Sequence, residues 1–224
     1  LSQAQRVLTR ERDSATYQRT LEACVSAARR LNQLTESMLT LATHDGDSIT
    51  SKHEPTDLAC ITHDTSSPLQ SLAEERHITL EFNLSTAPCL GDELRLSQIV
   101  LNLLSNALNH TADGGRIQLT THSDSNHALF IITDNGYGIA EEHLPHIFDR
   151  FYRSDKSRTR ITGGAGLGLS ICKAIADEHG ATLEVTSEVG KGSIFTLKLP
   201  RNVNEPYESR LNSSKFLRDQ NCAR

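Results

Sequence analysis

The sequence predicts an α+β fold: a mixed sheet carrying helices on one face, preceded by a helical segment. Three observations predict it. Short alternating strands are interspersed with strongly amphipathic helices between about residues 78 and 200. A long stretch near the start keeps a seven-residue apolar spacing. A polar stretch, "THDGDSITSKHEPTD" (43–57), separates the two.

The elements follow in order. From Tyr17 to Ala42 neither Gly nor Pro interrupts a helical pattern. Leu21, Ala28, Thr35 and Ala42 recur every seven residues, with Cys24, Leu31 and Met38 between them. Val25, Leu34 and Leu41 widen this stripe, which suits the core of a four-helix bundle. Leu1 to about Leu8 reads as the end of an earlier helix, turned at "TRERDSAT" into a hairpin. Beyond the polar stretch, "SPLQSLAEERHITLEF" reads as a helix running into a strand, with "ITLEFNL" (78–84) alternating as a half-buried strand does. "DELRLSQIVLNLLSNAL" (92–108) is a helix that Asp92 can cap. "GRIQLTTHSDSNHALFIITDNG" gives two strands about a polar turn. "LGLSICKAIADEHG" is a helix ended by Gly180, and "ATLEVTSEVGKGSIFTLKLP" closes with a hairpin. The polar tail, "NVNEPYESRLNSSKFLRDQNCAR" (202–224), is expected to be disordered. The expected division is therefore 1–45, 46–200 and 201–224.

Composition excludes several classes. The 224 residues carry a net charge of −5, which argues against a nucleic-acid-binding face. Five scattered cysteines without a CxxC pair read as reduced thiols of a cytoplasmic domain, not as a zinc site or disulfide framework. Of the ten histidines only His143 and His146 lie one helical turn apart, without a third ligand. No apolar run reaches the ~18 residues of a membrane span, and no signal peptide is visible, so the chain is expected to be soluble.

The chemistry concentrates in glycine-rich segments that follow an asparagine-bearing helix. In "NLLSNALNHT" (102–111), Asn102 and Asn106 are four apart and share a helix face, although asparagine is a mediocre helix former. "DNGYGI" (134–139) comes directly off the apolar strand "LFIIT". An aspartate at such a strand end must accept hydrogen bonds to offset its burial, and the exocyclic amine of adenine would satisfy Asp134. "GGAGLGLS" (163–170) places four glycines just before a helix, where backbone N–H groups can meet phosphate. "GKGS" (190–193) adds a third turn.

Taken in order and spacing, "NLLSNALNHT", "DNGYGI", "FDRFY", "GGAGLGL" and "GKGSIF" resemble the N, G1, F, G2 and G3 boxes of sensor histidine kinases. The resemblance covers about residues 50–200, and the helix at 17–42 looks like the second helix of that family's dimerisation hairpin. It implies the Bergerat-type α/β sandwich, with ATP and Mg²⁺ bound beneath a mobile lid. It implies Asn106 as the Mg²⁺ ligand, with Asn102 near the phosphates. Asp134, with Gly136 and Gly138 beside it, matches the adenine-reading position. Gly164, Gly166, Leu167 and Gly168 match the phosphate loop, and Ser193 the hydroxyl-bearing position of the last box. Phe148 and Phe151 match the lid phenylalanines, expected to pack the lid. Asn109 stands where the family usually has Lys or Arg, and His110 where it often has an aromatic. Arg153 and Lys156, from "RFYRSDKSRTR" (150–160), are the cations placed to compensate at the γ-phosphate, completing a catalytic set with Asn102 and Asn106.

The resemblance also implies a response regulator as partner, a homodimer through the hairpin, and a parent protein anchored in a membrane by an N-terminal part. The family's acceptor histidine lies in an H box on the first hairpin helix. "HDTSSP" (63–68) fits its letters but lies after the long helix, so His63 is read as a decoy and the acceptor is expected upstream of Leu1. Two alternatives stay open. One is an ATPase like the chaperone and gyrase enzymes, disfavoured because Asn102 stands where those carry a glutamate base. The other is an ATP-binding and dimerisation module weakened in turnover, kept open by Asn109 and the missing acceptor.

Overall fold

The computed structural model describes residues 53–153 and 166–201, together with positions 13, 16–18, 20 and 21. Positions 16–18, 20 and 21 are helical, and Thr20 Oγ1 donates to the Thr16 carbonyl at 2.8 Å. The rest of the expected 17–42 helix lies outside the described residues, as do Lys156, Gly164 and the 202–224 tail.

The first strand, β1 (Glu54–Asp57), pairs antiparallel with β3 (Pro88–Gly91). The sequence reads as polar and loop-like over 43–57 and shows no strand at 88–91. Four-residue strands carry almost no periodicity, and Pro55 and Pro88 mask them further. Helix α1 (Leu58–Ser66) also begins earlier than the expected start near Ser67. Its cap explains the start: Asp57, buried, accepts from Ala59 N at 2.8 Å and from Ala87 N at 2.9 Å. Pro68 turns the chain through a 3₁₀ segment (Ser67–Leu69) into the short helix α2 (Gln70–Glu75).

Strand β2 (Thr79–Leu84) leads to β3 and then to helix α3 (Glu93–His110), capped by Asp92 through Arg95 N at 3.1 Å. Strands β4 (Arg116–Ser123) and β5 (His127–Asp134) follow, then a 3₁₀ segment (Glu141–His146), helix α4 (Gly168–Glu178), and strands β6 (Thr182–Glu188) and β7 (Gly192–Pro200). The main sheet runs β2-β4-β5-β7-β6. Among the described strands of this sheet only β2 and β4 pair in parallel, as a crossover through α3 requires; the remaining neighbours are antiparallel. This is the mixed sheet the sequence predicts.

One face of that sheet is covered. Ile117 and Leu119 of β4, Phe130 and Ile132 of β5, and Phe195 and Leu197 of β7 are buried against the helices. Helix α3 answers with Leu96, Ile99, Val100, Leu103, Leu104, Ala107 and Leu108, an apolar stripe of helical period. Asn102 and Asn106 flank that stripe, half-buried. The core therefore fixes the rotation of α3 about its axis, and with it the direction of both amides.

Candidate nucleotide site

The site is assembled where β5 ends, where α3 ends and where α4 begins. Asp134, the last residue of β5, is held between Ile117 of β4 and Ser193 of β7. Only 7% of it is exposed, and its Oδ1 accepts from Gly136 N at 2.9 Å. Burial raises its pKa above the usual carboxylate range; the Gly136 and Ser193 backbone N–H groups and the nearby His110 oppose that rise. The result is a desolvated carboxylate that gains from each further donor that reaches it.

Gly136 explains why the backbone comes so close here. A Cβ at that position would lie 2.3 Å from the His110 carbonyl oxygen. The same carbonyl accepts from Tyr137 N at 3.1 Å, so the "DNGYG" loop is fastened to the last turn of α3. That turn carries Asn109 and His110, both exposed, with Asn106 one turn earlier. Gly138 packs against Glu188 at the β6–β7 turn.

On the other side, Asn102 Nδ2 donates to the Gly168 carbonyl at 3.4 Å, tying α3 to the first residue of α4. Among the described residues no side chain caps the α4 N-terminus, whose first-turn N–H groups form the kind of positive end that anions favour. Gly166, at φ +73°, makes the turn into this helix, and its carbonyl accepts from Phe151 N at 2.9 Å. Cys172 lies behind Asn102, and burial pushes its thiol up to about 12.

Some expected residues take other positions. Leu167 is buried in the core, so only its backbone is available to a ligand. The two phenylalanines do not act alike: Phe148 packs against the core, while Phe151, at φ +65°, turns outward and is 61% exposed. Ser193 is buried, with its Oγ 2.9 Å from Ser187 Oγ, which also accepts from Ile139 N at 2.8 Å. Ser187 had no mark in the sequence, since a serine in an alternating strand looks like any outward polar residue. Arg153 is exposed at the edge of the described residues. His63 sits on α1 of this same sheet domain, half exposed, with its Nδ1 3.1 Å from Asp64 Oδ1.

Among the described residues no three of His, Cys, Asp and Glu cluster as a metal site. Among the same residues, no helix is long and apolar enough to cross a membrane.

A buried carboxylate at a strand end, a glycine closed against the end of α3, and an amide beside the first residue of α4 form the candidate site. Residues 91–203 match the family model of histidine kinase-, DNA gyrase B-, and HSP90-like ATPases. Among curated relatives, the sensor protein SrrB of Staphylococcus aureus (strain N315) is 35% identical over 182 residues, covering 81% of this chain and 31% of the relative. The chain thus spans about a third of that relative's length. Among solved structures, the mycobacterial sensor histidine kinase MprB aligns at 31% identity with a TM-score of 0.57, covering 66% of this chain and 97% of that one. Full-length ShkA in complex with AMPPNP aligns at 26% identity and TM-score 0.71, covering 86% and 40%. The chain belongs to the histidine kinase-, DNA gyrase B-, and HSP90-like ATPase family. Within it, the relatives are sensor histidine kinases, and the domain is of their catalytic, ATP-binding type.

Proposed function

We propose that this domain is the phosphoryl-transfer core of a two-component sensor histidine kinase, passing the ATP γ-phosphate to a histidine on a helical hairpin and thence to a response regulator. The observation that carries the reading is the 3.4 Å contact between Asn102 and Gly168, which brings the asparagine face of α3 to the open N-terminus of α4. In this reading Asp134 accepts from the adenine amine, and Gly136 lets the loop close on the end of α3 beside it. Asn106 offers an amide oxygen to Mg²⁺, whose bound charge would neutralise the phosphates. Asn102 and the backbone of Gly164, Gly166 and Gly168 surround the phosphates, and Arg153 and Lys156 supply the positive charge that Asn109 does not. Positioning and charge stabilisation supply most of the catalysis in such a transfer, so the domain needs no base of its own.

An amide at Asn102 cannot take a proton from water, which favours transfer over steady hydrolysis. The divisions 1–45 as dimerising hairpin, 46–200 as ATP-binding domain and 201–224 as tail belong to the same proposal. So do homodimerisation through the hairpin and membrane anchoring by another part of a parent protein. Calorimetric titration tests the nucleotide arm: ATP with Mg²⁺ is expected to bind, ATP with a chelator more weakly, and GTP with Mg²⁺ far more weakly, because guanine presents a carbonyl to Asp134. Equal affinity for ATP and GTP would remove Asp134 from its role.

A further inference from the structure

We propose that Arg76, outside the nucleotide site, is a positioning residue for it: its guanidinium bolts down the C-terminal turn of α3 so that Asn106, Asn109 and His110 stay aimed at the space beside Asp134. The proposal rests on the nucleotide-binding reading above.

A helix end leaves its last carbonyls without partners inside the helix. At the end of α3 those carbonyls are taken up from two sides. Arg76 Nη1 donates to the Leu108 carbonyl and Nη2 to the Thr111 carbonyl at 2.9 Å. Arg76 Nε and Nη2 also reach Asp113 Oδ1, each at 3.1 Å. From the opposite side Tyr137 N donates to the His110 carbonyl at 3.1 Å, three residues after Asp134. One planar fork thus spans the last helical turn and the loop after it, a geometry that an arginine offers and a lysine does not. Its positive charge also lies at the negative end of the helix.

Arg76 is fixed in turn. It sits between α2 and β2, with its N–H bonded to the Ala73 carbonyl at 3.1 Å and its carbonyl to Gly114 N at 3.3 Å. The segment it grips bears Asn109 and His110 and follows Asn106, the proposed Mg²⁺ ligand, by one turn. The ion pair with Asp113 is a lesser part, since Asp113 is 71% exposed and such pairs contribute little. What matters is the pair of half-buried carbonyl contacts. Without them the α3 terminus keeps the Tyr137 contact and the core packing of Ala107 and Leu108, but its last residues lose the fork that holds them beside Asp134.

The test measures Mg·ATP affinity by calorimetry and the thermal midpoint in the whole chain and in Arg76→Met, Arg76→Lys and Asp113→Asn. Arg76→Met is expected to weaken Mg·ATP binding about tenfold at temperatures where the protein is fully folded. Arg76→Lys, keeping the charge and one carbonyl contact, is expected to recover part of that loss. Asp113→Asn, which leaves both carbonyl contacts intact, is expected to stay within about twofold of the unsubstituted chain. Should Arg76→Met fail to fold, Arg76→Lys decides alone, with a weakening of about threefold or more expected from its lost second carbonyl contact. A lowered thermal midpoint with unchanged affinity in the Arg76 variants would make the arginine merely structural and overturn the proposal. Equal losses in Arg76→Met and Asp113→Asn would overturn it too, by assigning the effect to the ion pair. Absence of ATP binding by the unsubstituted chain is a different failure: it refutes the nucleotide reading itself, and the positioning role with it.

Discussion

Replacing Asp134 with Asn is expected to separate nucleotide affinity from stability. In the folded protein one carboxylate oxygen accepts from Gly136 N at 2.9 Å, and the group is 7% exposed. An amide has one acceptor oxygen. If that oxygen keeps the Gly136 contact, the NH₂ group faces the adenine amine, donor against donor. If the amide flips, its NH₂ meets the Gly136 N–H instead. Either way a charge-assisted hydrogen bond worth about 1.5–3 kcal/mol is lost, and a buried donor left unsatisfied costs about 1–3 kcal/mol more. Together that is about 2.5–6 kcal/mol, or roughly two to four orders of magnitude in Kd. Stability follows a different rule. Burial holds the Asp134 pKa high, so its ionised form opposes folding, and a neutral amide relieves that desolvation. The thermal midpoint is therefore expected to change little while calorimetry registers almost no ATP binding. The pH dependence carries the same sign: as pH falls through the raised pKa, Asp134 gains a proton, loses an acceptor, and ATP affinity drops. Unchanged ATP affinity in Asp134→Asn, with the protein folded, would refute the reasoning.

Gly136→Ala is expected to weaken ATP binding and lower stability by on the order of 1–3 kcal/mol, because its Cβ would lie 2.3 Å from the His110 backbone oxygen; thermal melts and calorimetry check both. His179 is buried, with Nδ1 2.8 Å from the Ile175 carbonyl and Nε2 accepting from Asp92 N at 3.0 Å, so the neutral ring is the one that fits. Its pKa is lowered by burial, so below the ordinary histidine value of about 6.5 the unfolded chain binds the extra proton and stability falls with acidification. Urea titrations at stepped pH should show that fall, and His179→Gln should flatten it.

Long periodic elements were legible in the sequence and short ones were not. The stripe on α3 and the alternation of β4 and β5 span several periods, enough to set both type and facing. Strands β1 and β3 span four residues each, and their pairing depends on partners more than thirty residues apart in the chain. Asp134 was legible because an aspartate that ends an apolar strand and precedes two spaced glycines carries its own signal. Arg76 was not, since in "AEERH" it reads as one more surface charge until α3 is seen ending beside it. The differing fates of Phe148 and Phe151 were likewise hidden: residues three apart look equivalent until a left-handed turn at Phe151 separates them.

The most direct test of the kinase reading incubates the chain with γ-radiolabelled Mg·ATP, alone and with a separate dimerisation hairpin bearing an H box. His63 lies on α1, which packs against α3 within the same sheet domain that holds Asp134, so it cannot swing to the nucleotide as a histidine on a separate hairpin can. Acid-labile, base-stable phosphate is expected on the hairpin histidine and not on the chain. Label on His63 that vanishes in His63→Gln, or an unlabelled hairpin despite tight ATP binding, would contradict the account.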